Sequence, residues 1–322
     1  MAQKALIVTD GKPGHENQTR ALCEALGLTP EFVRVKYRVG GKALSYPLDW
    51  LGIRWGGLFR AEWSGGGSMR SAVVAPRAFR LVAGAGSTAY YPIKWLAGRM
   101  RCPSVAILAP RGYRLDFDCI VAPDYDRPPS RPNLVTVPVN LCSVDPNRYT
   151  REVAQFAALH RQERPAAGFI VGGDNSVSTL DADELEAQIR RAMQLLPEHE
   201  FWVTTSRRTP AAADEVIDQL PFDYSLVYSR TPDYNPTPAF VGACDRLFVT
   251  SDSASMISEA VCFGSAAVEI LLTRQNRQNN KFLRLIRALE RRGALHVFDG
   301  SLGDARAKVD LNEHLQRVND FV

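Results

Sequence analysis

The 322-residue sequence predicts an α/β fold of two Rossmann-like domains facing one another across a cleft. Three observations carry that expectation. Short apolar runs alternate with helical patterns along the whole chain, the rhythm of parallel strands joined by crossover helices. The rhythm breaks at Arg127-Pro128-Pro129-Ser130-Arg131-Pro132 and again at Glu163-Arg164-Pro165, then restarts. The length suits two domains of about 150 residues each better than a single core.

In the first half the apolar runs place strands at residues 5–8, 32–35, 81–83, 105–108, 119–121 and 134–137, each apolar enough to be covered on both faces. A helix is expected over 151–160, and the prolines on either side put the boundary between residues 145 and 165. The expected division is an N-terminal domain of residues 1–150 and a C-terminal domain of 151–322, whose last helix is a candidate to pack back on the first domain. In the second half strands fall at 168–171, 200–204, 225–227, 246–249 and 266–270. Helical patterns cover 182–196, 211–219, 254–263 and 279–291. No repeat occurs at the periods of solenoid proteins.

Composition narrows the class. A 45% hydrophobic and 23% charged chain is that of a packed globular protein. A net charge of +4 is too mild to argue for nucleic acid. The six cysteines form no C-x-x-C pair and read as reduced, in keeping with a cytoplasmic protein. No run approaches the roughly 18–20 apolar residues of a membrane span, and the opening strand-like segment does not read as a secretory signal.

Ligands of doubly wound sheets bind outside the carboxyl ends of the strands, so chemistry is sought in the loops that follow them. The first loop is Thr9-Asp10-Gly11-Lys12-Pro13-Gly14-His15-Glu16-Asn17-Gln18, with a helix expected from about His15. Asp10, His15 and Glu16 are candidates for a general base that takes a proton from an acceptor hydroxyl, and reach favours His15 and Glu16. A tight turn with solvated first-turn residues is the plainer alternative. The segment Gly84-Ala85-Gly86-Ser87-Thr88-Ala89 spells a dinucleotide fingerprint, but it follows a later strand and lacks the acidic residue expected about 20 positions on. It reads as a strand exit that leaves room for an acceptor, or as close packing.

In the second half, Gly172-Gly173-Asp174-Asn175-Ser176 offers close backbone approach and amides to a phosphate. The next strand runs into Thr204-Thr205-Ser206-Arg207-Arg208-Thr209-Pro210, where Ser206, Arg207 and Arg208 would meet a diphosphate. The fourth strand runs into Thr250-Ser251-Asp252-Ser253-Ala254-Ser255-Met256-Ile257-Ser258-Glu259-Ala260. Ser251, Ser253, Ser255 and Met256 lie where a helix N-terminus opens an anion site. Glu259 sits four residues beyond Ser255 on the same face, where a carboxylate can accept both hydroxyls of a ribose. An ordinary Ser/Asp cap is the alternative. No metal site is expected: Asp181-Ala182-Asp183 is no strand-end D-x-D and reads as a capped helix start.

The first-loop run 10–18, the run 205–209 and the run 250–260 together resemble the glycosyltransferase family grouped with the plant mitochondrial-fission factor "elongated mitochondria". The layout is more distantly similar to the lipid-II-forming N-acetylglucosaminyltransferase and the Kdo transferases. The resemblance implies a GT-B fold, transfer of a sugar from a nucleotide-sugar donor of UDP, CMP or GDP type, and no bound cofactor or metal. It assigns Gly173 and Asp174 to the donor-phosphate loop, Arg207 to the phosphates, Ser253 and Ser255 to the loop amides and Glu259 to the ribose. The first loop would face the acceptor, a glycan or lipid-linked molecule of the cell envelope.

Residues 46–63 interleave Trp50, Leu51, Ile53, Trp55, Leu58, Phe59 and Trp63 with Arg54 and Arg60. They suit either a peripheral seat on the inner face of the cytoplasmic membrane or an internal helix with its aromatics against the first sheet. Two other functions stay open: a nucleotide-sugar epimerase on the same fold, and a non-enzymatic scaffold at a membrane surface.

Overall fold

A computed structural model of the chain describes residues 3–64 and 78–322. The chain divides into two compact units, one running up to Val144 and including Asp310–Val322, the other formed by Asp145–Val309.

The first unit runs β1 (Lys4–Thr9), α1 (Pro13–Ala25), β2 (Thr29–Tyr37), α2 (Gly41–Trp50), β3 (Phe59–Trp63), β4 (Leu81–Ala85), α3 (Ser87–Met100), β5 (Ser104–Ile107), β6 (Cys119–Pro123) and β7 (Leu134–Val137). Its sheet has the order β3-β2-β1-β4-β5-β6-β7. Every neighbouring pair is parallel except β2 and β3. β4, β5 and β6 are buried along their whole length, as their unbroken apolar sequences require. α3 packs Tyr90, Tyr91, Ile93 and Leu96 into the core on one face of this sheet. The C-terminal helix Leu311–Leu315 caps itself with the Asp310 carboxylate, which accepts from the N–H of Asn312 at 2.8 Å.

Three details of this unit differ from the sequence reading. α1 starts at Pro13, because proline's fixed φ suits the first helical turn, where its missing N–H costs nothing. The 46–63 segment is not one helix. α2 ends at Trp50, a 3-10 turn covers Gly56–Leu58, and β3 closes the sheet edge. Leu58 and Phe59 are buried, while Trp50, Leu51, Ile53 and Trp55 are exposed.

The second unit runs α4 (Pro146–Ala157), β8 (Ala166–Ile170), β9 (Ser178–Thr179), α5 (Ala182–Leu195), β10 (Glu200–Thr204), α6 (Ala211–Gln219), β11 (Tyr224–Leu226), α7 (Thr237–Ala243), β12 (Arg246–Thr250), α8 (Ala254–Cys262), β13 (Ala267–Leu271), β14 (Arg274–Gln275), α9 (Lys281–Glu290) and β15 (His296–Val297). Its main sheet, β11-β10-β8-β12-β13-β15, is parallel throughout. β9 and β14 form a separate two-stranded antiparallel pair. Phe169 of β8 and Phe248 of β12 stack in the core at 4.6 Å. Asp181 caps α5 by accepting from the N–H of Glu184 at 3.1 Å, so the 181–183 aspartates do start a helix. All six cysteines are free thiols, and burial pushes Cys23 and Cys119 up to about 12.

In both sheets the order reverses between a unit's first strand and its fourth, β1 beside β4 and β8 beside β12. These are the two topological switch points at which such folds bind ligands.

The first unit depends on one buried ionic knot. Asp49, at the end of α2, is wholly buried and accepts from Lys94 Nζ at 3.0 and 3.1 Å and from the N–H of Arg114 at 2.7 Å. Lys94, on α3, also donates to the carbonyl of Arg114 at 2.8 Å and to Asp116. Together they tie α2 and α3 to the 112–116 loop. Removing one partner of such a pair leaves an uncompensated buried charge. Asp49→Ala is therefore expected to cost about 3–5 kcal/mol, read by urea denaturation as a lower midpoint. A loss below about 1 kcal/mol, the range of an exposed pair, would contradict the assignment.

Candidate functional site

At the switch point of the first unit the chain leaves β1 through Thr9 and turns at Gly11, whose φ is +81°. Asp10 is the centre of this loop. Its side chain is 8% exposed, and its Oδ1 accepts from the N–H of Lys12 at 3.2 Å and pairs with His15 Nδ1 at 3.1 Å. Lys12 Nζ lies 3.2 Å from the other oxygen. Burial by itself would raise the pKa of Asp10, but the hydrogen bond and charge of His15 and the bonds from Lys12 hold it below the usual carboxylate range.

The His15 ring lies against Gly86, where β4 gives way to α3. A Cβ at Gly86 would fall 2.4 Å from His15 Cε1, and the φ of +83° there already favours glycine. Glycine at 86 thus makes room for the imidazole. When the ring is neutral, Nδ1–H directed at Asp10 leaves the lone pair on Nε2, the nitrogen turned away from the carboxylate. Gly84 serves close packing, since a Cβ there would meet the Val8 carbonyl at 2.5 Å.

Glu16 is occupied otherwise. Its Oε1 accepts from the hydroxyl of Thr9 at 2.8 Å, and Thr9 in turn accepts from the N–H of Gly11 at 2.8 Å, so this oxygen of Glu16 stiffens the loop. Two cations unnoticed in the sequence frame the site. The Arg34 guanidinium packs on Gly11. Lys42 lies among Tyr37, Tyr46 and Tyr113, donates to the Tyr113 hydroxyl at 2.7 Å and reaches the carbonyl of Ser87. Burial pushes the Lys42 ammonium down to about 8, with Asp10 opposing the shift and Lys12 adding to it.

At the second switch point three strand-end loops converge on Asp252, whose side chain is fully buried. Its Oδ2 accepts from the N–H of Gly173 at 3.0 Å and from Arg208 at 2.7 Å, and its Oδ1 accepts from the Thr250 hydroxyl at 2.6 Å. Asn175 Nδ2 donates to its carbonyl at 3.0 Å. A Cβ on Gly172 would lie 2.2 Å from both carboxylate oxygens, and one on Gly173 would lie 2.0 Å from the carbonyl of Arg208. Both glycines are therefore required by close approach.

Several expected roles change here. The amides of Gly172 and Gly173 are not free for a phosphate, because Thr250 and Asp252 accept from them, and no helix follows directly. Asp174 and Asn175 spend their side-chain oxygens on the N–H groups of Leu180 and of Val177 and Ser178. Arg208 is committed to Asp252 and to the carbonyls of Gly173 and Asp174. The Ser206 hydroxyl closes its own turn with Thr209 and the N–H of Arg208. Ser251 is buried, its hydroxyl engaged by Thr273 and Gln275, so it presents nothing to a ligand.

Other residues stay available. Arg207 is exposed and has no ionic or hydrogen-bonding partner among the described residues. Ser253 caps α8 by accepting from the N–H of Met256 at 3.5 Å, and Ser255 is exposed on the first turn of that helix. Glu259 lies a turn further on, where the Tyr149 hydroxyl donates to Oε1 at 3.3 Å. Burial raises the pKa of Glu259, partly offset by Arg148 and Tyr149. Asp252, the organiser, stands inside the run quoted from the sequence. The legible signal was a lone acid in a serine-rich strand exit and an Arg-Arg pair at the neighbouring one. Among the described residues no group of three or more His, Cys, Asp or Glu side chains is placed to hold a metal ion, and no helix is long and apolar enough to cross a membrane.

Comparison with solved structures places this architecture. The UDP-GlcNAc 2-epimerase from Methanocaldococcus jannaschii aligns over 100% of both chains with 11% identity and a TM-score of 0.51. The ADP-heptose lipopolysaccharide heptosyltransferase II of E. coli aligns over 99% of this chain and 98% of its own with 11% identity and a TM-score of 0.44. MurG of Acinetobacter baumannii aligns over 99% and 90% with 14% identity and a TM-score of 0.44. At 11% identity the M. jannaschii likeness is one of fold, and the fold, two units each built on a Rossmann-type sheet, is of the GT-B class. No curated protein matches the sequence. The model of one family, described as Mitochondrial fission ELM1, matches residues 13–318, nearly the whole chain, and the protein belongs to that family.

Proposed function

We propose that the protein is a glycosyltransferase that moves a sugar from a nucleotide-sugar donor, bound by the second unit, to a hydroxyl of a glycan or lipid-linked acceptor bound by the first. The observation that carries the reading is the Asp10–His15 pair set over Gly86 at a switch point. An imidazole held in one tautomer by a carboxylate suits the removal of a hydroxyl proton. His15 Nε2 takes that proton, the acceptor oxygen bonds to the anomeric carbon, and the bond from that carbon to the phosphate oxygen breaks. The nucleotide leaves with the bonding pair. Its charge is met by Arg207 and by the N-terminus of α8, where Ser253 and Ser255 stand. Glu259 accepts from the ribose hydroxyls. Asp252 and Arg208 take no part in the reaction; they hold the three loops in register. We place the enzyme in the cytoplasm, at the inner face of the membrane.

The M. jannaschii likeness supports a second reading on the same donor site, a nucleotide-sugar epimerase. The two differ in what is consumed: an epimerase turns over donor alone, a transferase needs an acceptor.

Calorimetric titration with UDP, CMP, GDP and their common sugars tests the donor site. One nucleotide class should bind, and Arg207→Ala should weaken it by about 1.5–3 kcal/mol, the worth of a charged hydrogen bond. If a folded sample binds none of them, the transferase reading fails. His15→Ala should leave donor binding intact and lower turnover by roughly 100- to 10,000-fold, the usual share of a general base; unchanged turnover would remove His15 from the mechanism.

Glu259 gives the site a pH dependence whose sign is fixed. Only the ionised carboxylate accepts from both ribose hydroxyls, and ionisation is delayed above the usual 4.5 by burial. Nucleotide affinity should therefore rise as pH climbs through the window above 4.5, and Glu259→Gln should bind more weakly with no such rise. A wild-type profile flat across that window would place the ribose elsewhere.

A further inference from the structure

A cavity of about 480 Å³ opens in the first unit between the 109–116 loop, the 128–131 segment and the C-terminal end of α2. Its size is that of pockets that take small organic ligands, about 300–1,000 Å³. Leu115, Ile120, Pro129 and Leu134 give it apolar walls. Trp50 stands at its edge, with the indole Nε1 donating to the carbonyl of Gly112 at 3.1 Å. Neither strand-end site uses this space.

The cavity connects to the candidate base through two side chains. Tyr113 lines it, and the hydroxyl of Tyr113 accepts from Lys42 at 2.7 Å. Lys42 reaches the carbonyl of Ser87, the residue after the Gly86 on which His15 rests. The cavity is thus joined to the loop that holds His15 by the Tyr113–Lys42–Ser87 chain of hydrogen bonds.

Charge and exposure indicate what kind of ligand this is. Arg111, Arg114 and Arg131 share the lining. The Arg111 and Arg114 side chains are 76% and 39% exposed, which puts guanidinium groups at the opening. The one carboxylate in the lining, Asp116, is already shared among Lys94, Arg54 and Arg114. Arg111 has only a 3.7 Å contact with Asp126, and Arg131 has no ionic partner among the described residues. Trp50 is itself exposed, and so, nearby in sequence, are Leu44, Leu51, Ile53 and Trp55. Monomeric soluble proteins rarely leave so much apolar surface in one stretch unless something covers it.

We propose that this cavity binds the hydrocarbon chain of an anionic lipid, with its phosphate at the arginines, and that the acceptor of the transferase is a molecule carried on such a lipid. The second half of the statement rests on the transferase reading; the first does not.

The test is a calorimetric titration of the full chain with hexyl, octyl and decyl phosphate below their micelle concentrations, with inorganic phosphate and decyl maltoside as controls. Affinity should rise roughly fourfold per added methylene while the cavity fills, and both controls should bind far more weakly than decyl phosphate. Ala109→Trp fills the cavity and should abolish the chain-length dependence. The surface variant Arg111→Glu/Arg131→Glu, which does not touch the core, should weaken every alkyl phosphate by about tenfold or more and keep the chain-length slope. No binding of decyl phosphate, equal binding of decyl maltoside, or an unchanged slope in folded Ala109→Trp would overturn the proposal. So would binding to anionic vesicles without binding to the monomeric phosphates, the result of a flat membrane contact. Nucleotide titration of the same sample separates the two readings: nucleotide without alkyl phosphate rejects the cavity alone, and the reverse rejects the transferase alone.

Discussion

The Asp252 carboxylate is the interaction on which the second unit's site is built. Three crossover loops leave the sheet at β8, β10 and β12. One buried side chain collects a glycine amide from the first loop, a guanidinium from the second and a hydroxyl from the third. A buried carboxylate is tolerable only when it is paired and hydrogen-bonded, and here the partners that satisfy it are the parts that must be aligned. The glycines at 172 and 173 follow from this. Their missing side chains are what lets Asp252 and the Arg208 backbone come so close.

The first unit solves the corresponding problem with a smaller set of groups. Asp10 orders its own loop through Lys12 and His15, Thr9 and Glu16 lock the strand exit, and Lys42 brings α2 to the start of α3. Each unit thus spends carboxylates at its switch point on organisation. The difference lies in what remains free. In the first unit the residue left over is an imidazole nitrogen, suited to proton transfer; in the second it is an unpaired guanidinium beside a helix start, suited to an anion. Both units share one strand order about the switch point, and the contrast in chemistry comes from a handful of loop residues.

How much of this was legible in the sequence varied with the physical origin of each feature. The buried parallel strands were, because a strand covered on both faces must be apolar throughout, as in Leu81–Ala85 and Ala267–Leu271. The short α7 was not: it spans only seven residues, and Pro238 sits in its first turn. β3 was hidden by aromatic residues that suit an edge strand and an amphipathic helix equally. Among candidate site residues, the spacing of polar groups picks out loops at the two switch points, but not the direction in which each group points. Gly172, Gly173, Arg208 and Ser251 look like ligand contacts in one dimension and turn inward in three. Only a partner distant in sequence, Asp252 or Thr273, makes the difference, and sequence order does not reveal such pairings.

The contact between His15 and Gly86 has a consequence for how this protein can change over evolutionary time. The imidazole is bounded on one side by main chain, which no point substitution removes, and not by another residue's side chain. Side chains other than Asp10 can drift without loosening the ring, whereas a side chain at position 86 would collide with it. Variation around the first loop should therefore accumulate about a fixed position of the ring, held where β4 gives way to α3.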